Sequence, residues 1–224
     1  NNLIKTQRPD WKGRSAFVTG ATGATGRSIV AQLANKDWTV VAMTRQESND
    51  KLSLFPDLSS SKLEQITIMH EPNPEEWSKQ EPLPLPAKLD ALFMCHGTSR
   101  EYPEVQEDMD SSGQEGFAKW LKRIDVDMTT RIAKAAIDAK VSVVSRISAA
   151  GADVEADTEG FGIYFQHQGH ADAVITDIIN KKLIEKFSHH FFKCPSRVSR
   201  LSGNSLDAST TISARYSITA LVIK

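Results

Sequence analysis

Apolar positions change their spacing several times along the chain, and each change marks an element. "SAFVT" (Ser15 to Thr19) is a short apolar run and predicts a buried strand. The spacing then turns helical, with Ile29, Val30 and Leu33 on one face, until Asn35, Lys36 and Asp37 punctuate it. "WTVVAMT" (Trp38 to Thr44) has the continuous apolar character of a buried parallel strand. Residues 46 to 65 are polar and Ser-rich and predict mostly loop, and "QITIMH" (Gln65 to His70) predicts a third strand. Residues 71 to 88 hold five prolines. Pro82, Pro84 and Pro86 argue against a regular helix, because each lacks an N–H and clashes with the preceding turn. An extended connection over the sheet is expected there. "LDALFMC" (Leu89 to Cys95) predicts a fourth strand, and the acidic residues 101 to 115 a surface loop. Phe117 to Ala139 reads as a long amphipathic helix, with Leu121, Ile124, Met128, Ile132 and Ala135 at helical spacing. "VSVVSRIS" (Val141 to Ser148) predicts a fifth strand and Ile163 to Phe187 a helix. "FFKCPSRVSRLS" is expected to hold a sixth strand, and "SARYSITALVIK" a last helix.

Strands alternating with helices predict an α/β fold, a doubly wound parallel sheet with helices on both faces. The expected organisation is a short N-terminal extension (residues 1 to 13) and a single domain (14 to 224) with a short C-terminal extension. In such a fold ligands bind at the carboxyl ends of the strands, so those ends are where chemistry is sought.

Composition narrows the partners. With 27 basic and 28 acidic residues, nothing points to nucleic acid, and no apolar run is long enough to span a bilayer. Cys95 and Cys194 do not make a disulfide framework, which predicts a reduced intracellular compartment. The chain begins without Met, and the expected location is the cytoplasm, or a mitochondrion or chloroplast after removal of a targeting peptide.

The chemistry begins at "FVTGATGATGR". Three glycines three apart, Gly20, Gly23 and Gly26, fall between a predicted strand and a predicted helix. Gly20 turns the chain, Gly23 lets backbone approach a pyrophosphate, and Gly26 lets the helix pack on the strand. The helix start, with Thr22, Ala24, Thr25 and Arg27, offers N–H groups and a positive dipole end to phosphates. No Lys follows in the manner of a Walker site. At the end of the second strand, where NAD enzymes place an acidic residue for the ribose hydroxyls, stands Arg45. A guanidinium there suits a 2′-phosphate, so NADP(H) is expected before NAD(H).

Five motifs in chain order carry a resemblance: "FVTGATGATGR", "CHGTSR" (Cys95 to Arg100), "GQEGF…RIDVDMTTRIAKAA" (Gly113 to Ala136), "SRISAAGAD" (Ser145 to Asp153) and "YFQHQGHAD" (Tyr164 to Asp172). Together they resemble the Tat-interacting-protein-like oxidoreductases, an atypical branch of the short-chain dehydrogenases/reductases. The resemblance covers roughly residues 14 to 205. It implies a Rossmann-type NAD(P)-binding fold. It also implies a Ser at the end of the fifth strand and a Tyr-x-x-x-Lys on the next helix. The Tyr hydroxyl exchanges a proton with a carbonyl oxygen, the Lys lowers the Tyr pKa and holds the ribose, and the Ser steadies the substrate oxygen. These positions fall on Ser148, Tyr164 and, in place of Lys, Gln168. Without the cation, Tyr164 is expected near its ordinary value of about 10, a poor acid–base near neutral pH. A polar insertion, "DVEADTEG", separates Ser148 from Tyr164. Cys95, Gly97 and Thr98 match positions that line the cofactor, with Cys95 read as a buried small residue and not a nucleophile.

No metal site is expected. His167 and His170, with Asp172 nearby and His189 and His190 beyond, lack a firm third ligand. The intact glycine turn beside a degenerate Tyr-x-x-x-Lys favours an NADP(H)-binding protein that is non-catalytic or weakly active, a subunit or assembly protein of a larger complex. The alternative is an active NADP(H)-dependent oxidoreductase that reduces a small carbonyl.

Overall fold

The computed structural model describes residues 13–48, 50–192 and 218–222. Five strands run parallel: β1 (Ser15–Thr19), β2 (Thr39–Thr44), β3 (Ile66–His70), β4 (Ala91–Met94) and β5 (Val143–Ile147). A sixth, β6 (Ile218–Val222), pairs antiparallel with β5, Val143 opposite Val222 and Ile147 opposite Ile218. The order across the sheet is β3-β2-β1-β4-β5-β6.

Alternation within the strands divides the core between two faces. Ala16, Val18, Val40 and Ala42 face one layer, with Val30, Leu33 and Ala34 of α1 (Ala24–Asn35) and Leu54, Phe55 and Leu58. Phe17, Met43, Leu92 and Met94 face the other, with Trp77, Ile132, Ala136 and Ile175. That is the doubly wound α/β arrangement the pattern predicts.

Several details differ from expectation. Residues 46 to 65 contain two single-turn helices, α2 (Lys51–Leu54), capped by the Asp50 side chain, and α3 (Ser60–Leu63). Within the Pro-rich stretch α4 (Pro74–Ser78) forms behind an Asn73 cap with Pro74 in its first turn, where a missing N–H costs nothing. The rest of the strap is not the expected extended run but irregular chain, bent at 81–82 and turned at 87–88 with Lys88 at φ +56°, and Leu83 and Leu85 pack on the core. The predicted acidic loop is instead α5 (Pro103–Trp120), interrupted at Gly113. Its apolar positions Val105 and Phe117, on either side of the Gly113 break, bury in one cluster with Met109 packed against it, and the acidic residues between them hide that pattern.

The chain continues without a break through a π-helical segment, Leu121–Met128, into α6 (Thr129–Asp138). The wider π turn brings Asp125 inward beside Leu121 and Met128. A long helix, α7 (Gly162–Phe192), follows β5. The expected sixth strand in residues 191 to 202 lies outside the described residues beyond Phe192, which still belongs to α7. The expected last helix is a strand over Ile218–Val222, a segment rich in β-branched residues that completes the sheet edge. No helix among the described residues is long and apolar enough to cross a membrane.

Candidate functional site

At the carboxyl ends of β1, β2 and β4 lies a cavity of about 500 Å³. Of the residues singled out in the sequence, Gly20, Thr22, Gly23, Arg45, Cys95, Gly97 and Thr98 line it. Ala24, Thr25, Gly26 and Arg27 form the adjoining first turn of α1.

The glycines divide their duties by geometry. Gly20 has φ +62°, and a Cβ there would meet the backbone of Cys95 and His96 at 2.6 to 2.7 Å. A Cβ on Gly26 would lie 2.2 Å from the Gly20 carbonyl oxygen. A Cβ on Gly23 would meet only that same oxygen, at 3.4 Å. Gly20 and Gly26 are therefore demanded by the protein's own packing, whereas Gly23 keeps the floor of the cavity low.

Helix α1 begins at Gly23 with no side-chain cap and no acidic residue in its first turn. Its first N–H groups have no acceptor in the helix itself. Arg27 donates to the Thr22 carbonyl at 3.3 Å, and its buried Nε has no hydrogen-bond partner. An uncapped helix start, a low floor and an unpaired guanidinium nitrogen together fit a bound phosphate. Thr22 and Thr44 tie the turn to β2 through their hydroxyls, 3.4 Å apart.

Arg45 projects from the end of β2 over the Tyr102 ring, 4.5 Å from its centroid, and pairs with Glu104 at 3.2 Å. Opposite, Glu75 is buried against Arg123 and held below the usual carboxylate range, chiefly by its hydrogen bonds from that guanidinium. Arg123 in turn stacks on Trp120, 4.5 Å from the ring centroid.

Between β4 and α6, His96 also lines the cavity. Its Nε2 lies 2.9 Å from the Thr129 hydroxyl, which itself donates to the Ile124 carbonyl. A hydroxyl has one hydrogen to give, so Thr129 accepts from Nε2–H, and Nδ1 accepts from the Thr19 hydroxyl at 2.6 Å. Burial and the nearby Arg146 push the His96 pKa down to about 4, so the ring is neutral. Burial raises the Cys95 thiol to about 12, which leaves it protonated.

The three residues of the reductase pattern do not line the cavity. Ser148 and Gln168 meet instead in a buried polar network behind it, while Tyr164 packs in an apolar cluster apart from that network. Gln168, only 2% exposed, donates from Nε2 to Asp125 at 2.7 Å and accepts through Oε1 from Arg146. Arg146, on β5, also donates to Asp172, and Asp172 accepts the hydrogen of Ser148. Asp125 closes the chain by accepting from the Thr98 N–H at 3.0 Å. Burial raises the Asp125 carboxyl, against the pull of Thr98, Gln168 and Arg146.

A cation, Arg146, thus stands beside Gln168, and it comes from the strand and not from the helix. The expectation that Tyr164 keeps its ordinary value needs correction. Burial, and then the Asp125 charge, raise it, and Arg146 lowers it by less. Tyr164 packs with Val105, Phe117 and Ile163. The insertion before it is tied down from α5 and the β4 loop: Gln114 donates to the Thr158 carbonyl at 2.6 Å, and Arg100 to that of Gly160 at 3.3 Å.

Sequence reasoning missed Asp125, Arg146, His96, Glu75 and Glu104. Two signals were available: Arg146 interrupts a buried parallel strand, and Asp125 falls within an apolar helical stripe. Of the histidines weighed for a metal, His167 and His170 have ring centroids 6.5 Å apart, and His167 Nδ1 bonds the Ile163 carbonyl at 2.8 Å. The side chains of His189 and His190 lie outside the described residues.

A glycine turn at the point where strand order reverses defines a dinucleotide-binding α/β domain. Residues 20–179 match the NAD(P)H-binding family, and the chain belongs to that family. No curated protein matches the chain in sequence. Among solved structures it is similar to a provisionally assigned NAD-dependent epimerase/dehydratase from Bacillus halodurans. The TM-score is 0.51 at 20% identity, over 73% of this chain and 64% of that one. It is also similar to yeast methylglyoxal/isovaleraldehyde reductase complexed with NADPH, with TM-score 0.52 at 13% identity over 75% of this chain and 53% of that one. At these identities the likeness concerns the fold. The chain spans between about half and two-thirds of the length of these proteins.

Proposed function

We propose that the chain binds NADP(H) in the glycine cradle as a structural or sensing ligand, and serves as a non-catalytic or weakly active subunit or assembly protein of a larger complex. One observation carries this reading: the groups that would act on a carbonyl are spent on one another. Ser148 gives its hydrogen to Asp172, and Gln168 uses both its oxygen and its nitrogen within the network. Tyr164 does not line the cavity and packs among Val105, Phe117 and Ile163. Arg45 and Arg27 are the residues that favour a 2′-phosphate. The motif order resembling the Tat-interacting-protein-like branch supports the NADP(H) part of this reading, and the departure at Gln168 the non-catalytic part.

The test pairs two measurements on the purified protein. NADPH is titrated by energy transfer from tryptophan, Trp120 lining the cavity, with NADH in parallel. NADPH oxidation is then followed over a panel of small aldehydes and ketones. Saturable NADPH binding, tighter than NADH, with no turnover is expected. Turnover at ordinary reductase rates overturns the non-catalytic reading, and absence of binding at millimolar concentration overturns the cofactor reading.

A second reading, an NADP(H)-dependent carbonyl reductase, is favoured by Arg146, whose charge reaches Tyr164 and lowers its pKa. In that case Tyr164 is the proton donor to the carbonyl oxygen, so reduction should hold near neutral pH, fall as strongly alkaline pH removes that proton, and vanish in Tyr164→Phe.

A further inference from the structure

The same cavity holds a feature that goes beyond cofactor binding, and it rests on the NADP(H) reading above. Arg45 enters the cavity from the end of β2, and Glu104 enters it from the first turn of α5. The two meet at 3.2 Å, with the guanidinium lying on the Tyr102 ring. Arg45 is further positioned through its backbone, since its carbonyl oxygen lies 3.2 Å from His70 Nε2. Both side chains of the pair are nearly half exposed, 47% for Arg45 and 43% for Glu104, so a ligand in the cavity has access to each.

The chemistry of the two groups is opposed. A guanidinium offers donors to a 2′-phosphate, which carries close to two negative charges. A carboxylate repels that phosphate, but accepts hydrogen bonds from the 2′- and 3′-hydroxyls of an unphosphorylated ribose. For Arg45 to turn fully toward a 2′-phosphate it must loosen its hold on Glu104. The stack on Tyr102 keeps the guanidinium in the cavity while that exchange takes place.

We propose that Glu104 is a specificity-determining residue that acts against Arg45. It holds the guanidinium when no 2′-phosphate is present, penalises NADP(H) by its charge, and offers an acceptor to the ribose of NAD(H). The Arg45–Glu104 pair therefore narrows the preference for NADP(H) that Arg45 alone would set.

The test measures Kd for NADPH and NADH, at low and at physiological salt, in the wild-type protein and in Glu104→Gln. The variant is expected to bind NADPH about fivefold tighter and NADH equally or more weakly, consistent with the modest strength of exposed charge pairs. The gain should shrink as salt is added, because both charges are accessible to ions. Glu104→Lys keeps a long polar side chain and should widen the NADPH:NADH ratio further. A ratio unchanged within twofold in both variants overturns the proposal, as does equal tightening of both cofactors, which would make Glu104 a gate with no power to discriminate. Failure of the wild-type protein to bind either nucleotide is a different result. It removes the cofactor reading on which this one stands, whereas intact NADPH binding with an unmoved ratio removes only the role of Glu104.

Discussion

At the first turn of α1 no side chain caps the helix, Gly23 leaves the floor low, and the Arg27 Nε is unpaired. Some strands away, at the end of β5, Ser148, Gln168, Arg146 and Asp172 have satisfied one another. One corner keeps its donors available for a ligand, and the other has spent them. Both corners lie at the carboxyl ends of strands in one sheet. The difference shows that what a corner of such a sheet can offer a ligand depends on whether its polar side chains are already paired with one another.

The largest break of this contrast is expected from Arg146→Met. It leaves Asp125 and Asp172 without their cation, in a region where Arg146 is 5% exposed. Removing one partner of a buried charge network costs about 3–5 kcal/mol, readable by urea denaturation. A loss under 1 kcal/mol would mean the network does not hold β5 to α7.

Next comes the pH dependence of His96. Its folded pKa is depressed, so its contribution to stability is present above pH 6.5 and lost as pH falls toward about 4. The loss is at most about 3 kcal/mol by linkage. Asp125, whose folded pKa is raised, works in the opposite sense: its contribution is present below the ordinary aspartate value of 3.8 and lost as pH rises through the folded value. The difference between wild-type and His96→Asn unfolding curves from pH 4 to 6.5 isolates the histidine. Parallel curves would show that His96 is not held neutral.

The cradle can be broken in two distinct ways. Gly26→Ala drives a Cβ into the Gly20 carbonyl and should destabilise the fold by about 3 kcal/mol. Gly23→Ala meets its nearest atom at 3.4 Å, so it should leave unfolding nearly unchanged and still weaken NADPH binding at least about tenfold. Equal stability losses in the two variants would contradict the division of roles among the glycines.

A last variant sharpens the comparison. Gln168→Lys restores the residue type of the reductase pattern, but it removes the acceptor of Arg146 and sets an ammonium beside a guanidinium. The expected outcome is a loss of about 2 kcal/mol and no gain in carbonyl reduction. Activity appearing in this single variant would show that the closed corner opens more easily than its hydrogen bonds suggest.

Local pattern determined much of this protein by itself. The five parallel strands, the switch from strand to helix at the glycine turn, and the residues of the cradle follow from apolar spacing and from backbone demands that act within a few residues. Where a helix was carried by sparse apolar positions among acidic ones, as in α5, the local signal was too weak to read. The same was true of α2 and α3, single turns whose stability comes from packing Leu54, Phe55 and Leu58 on the sheet. Only the tertiary structure decided the chemical corner. Asp125, Arg146, Gln168 and Asp172 come from a π-helical turn, a strand and a long helix, and they are partners only after the sheet is assembled. Their side chains meet through hydrogen bonds between residues 22 to 43 apart in the chain, a distance over which no periodicity carries information. That Gln168 stands where the resembled pattern has Lys was visible in the sequence. That a buried arginine from the neighbouring strand supplies a cation beside it was not, because burial and proximity are properties of the folded chain.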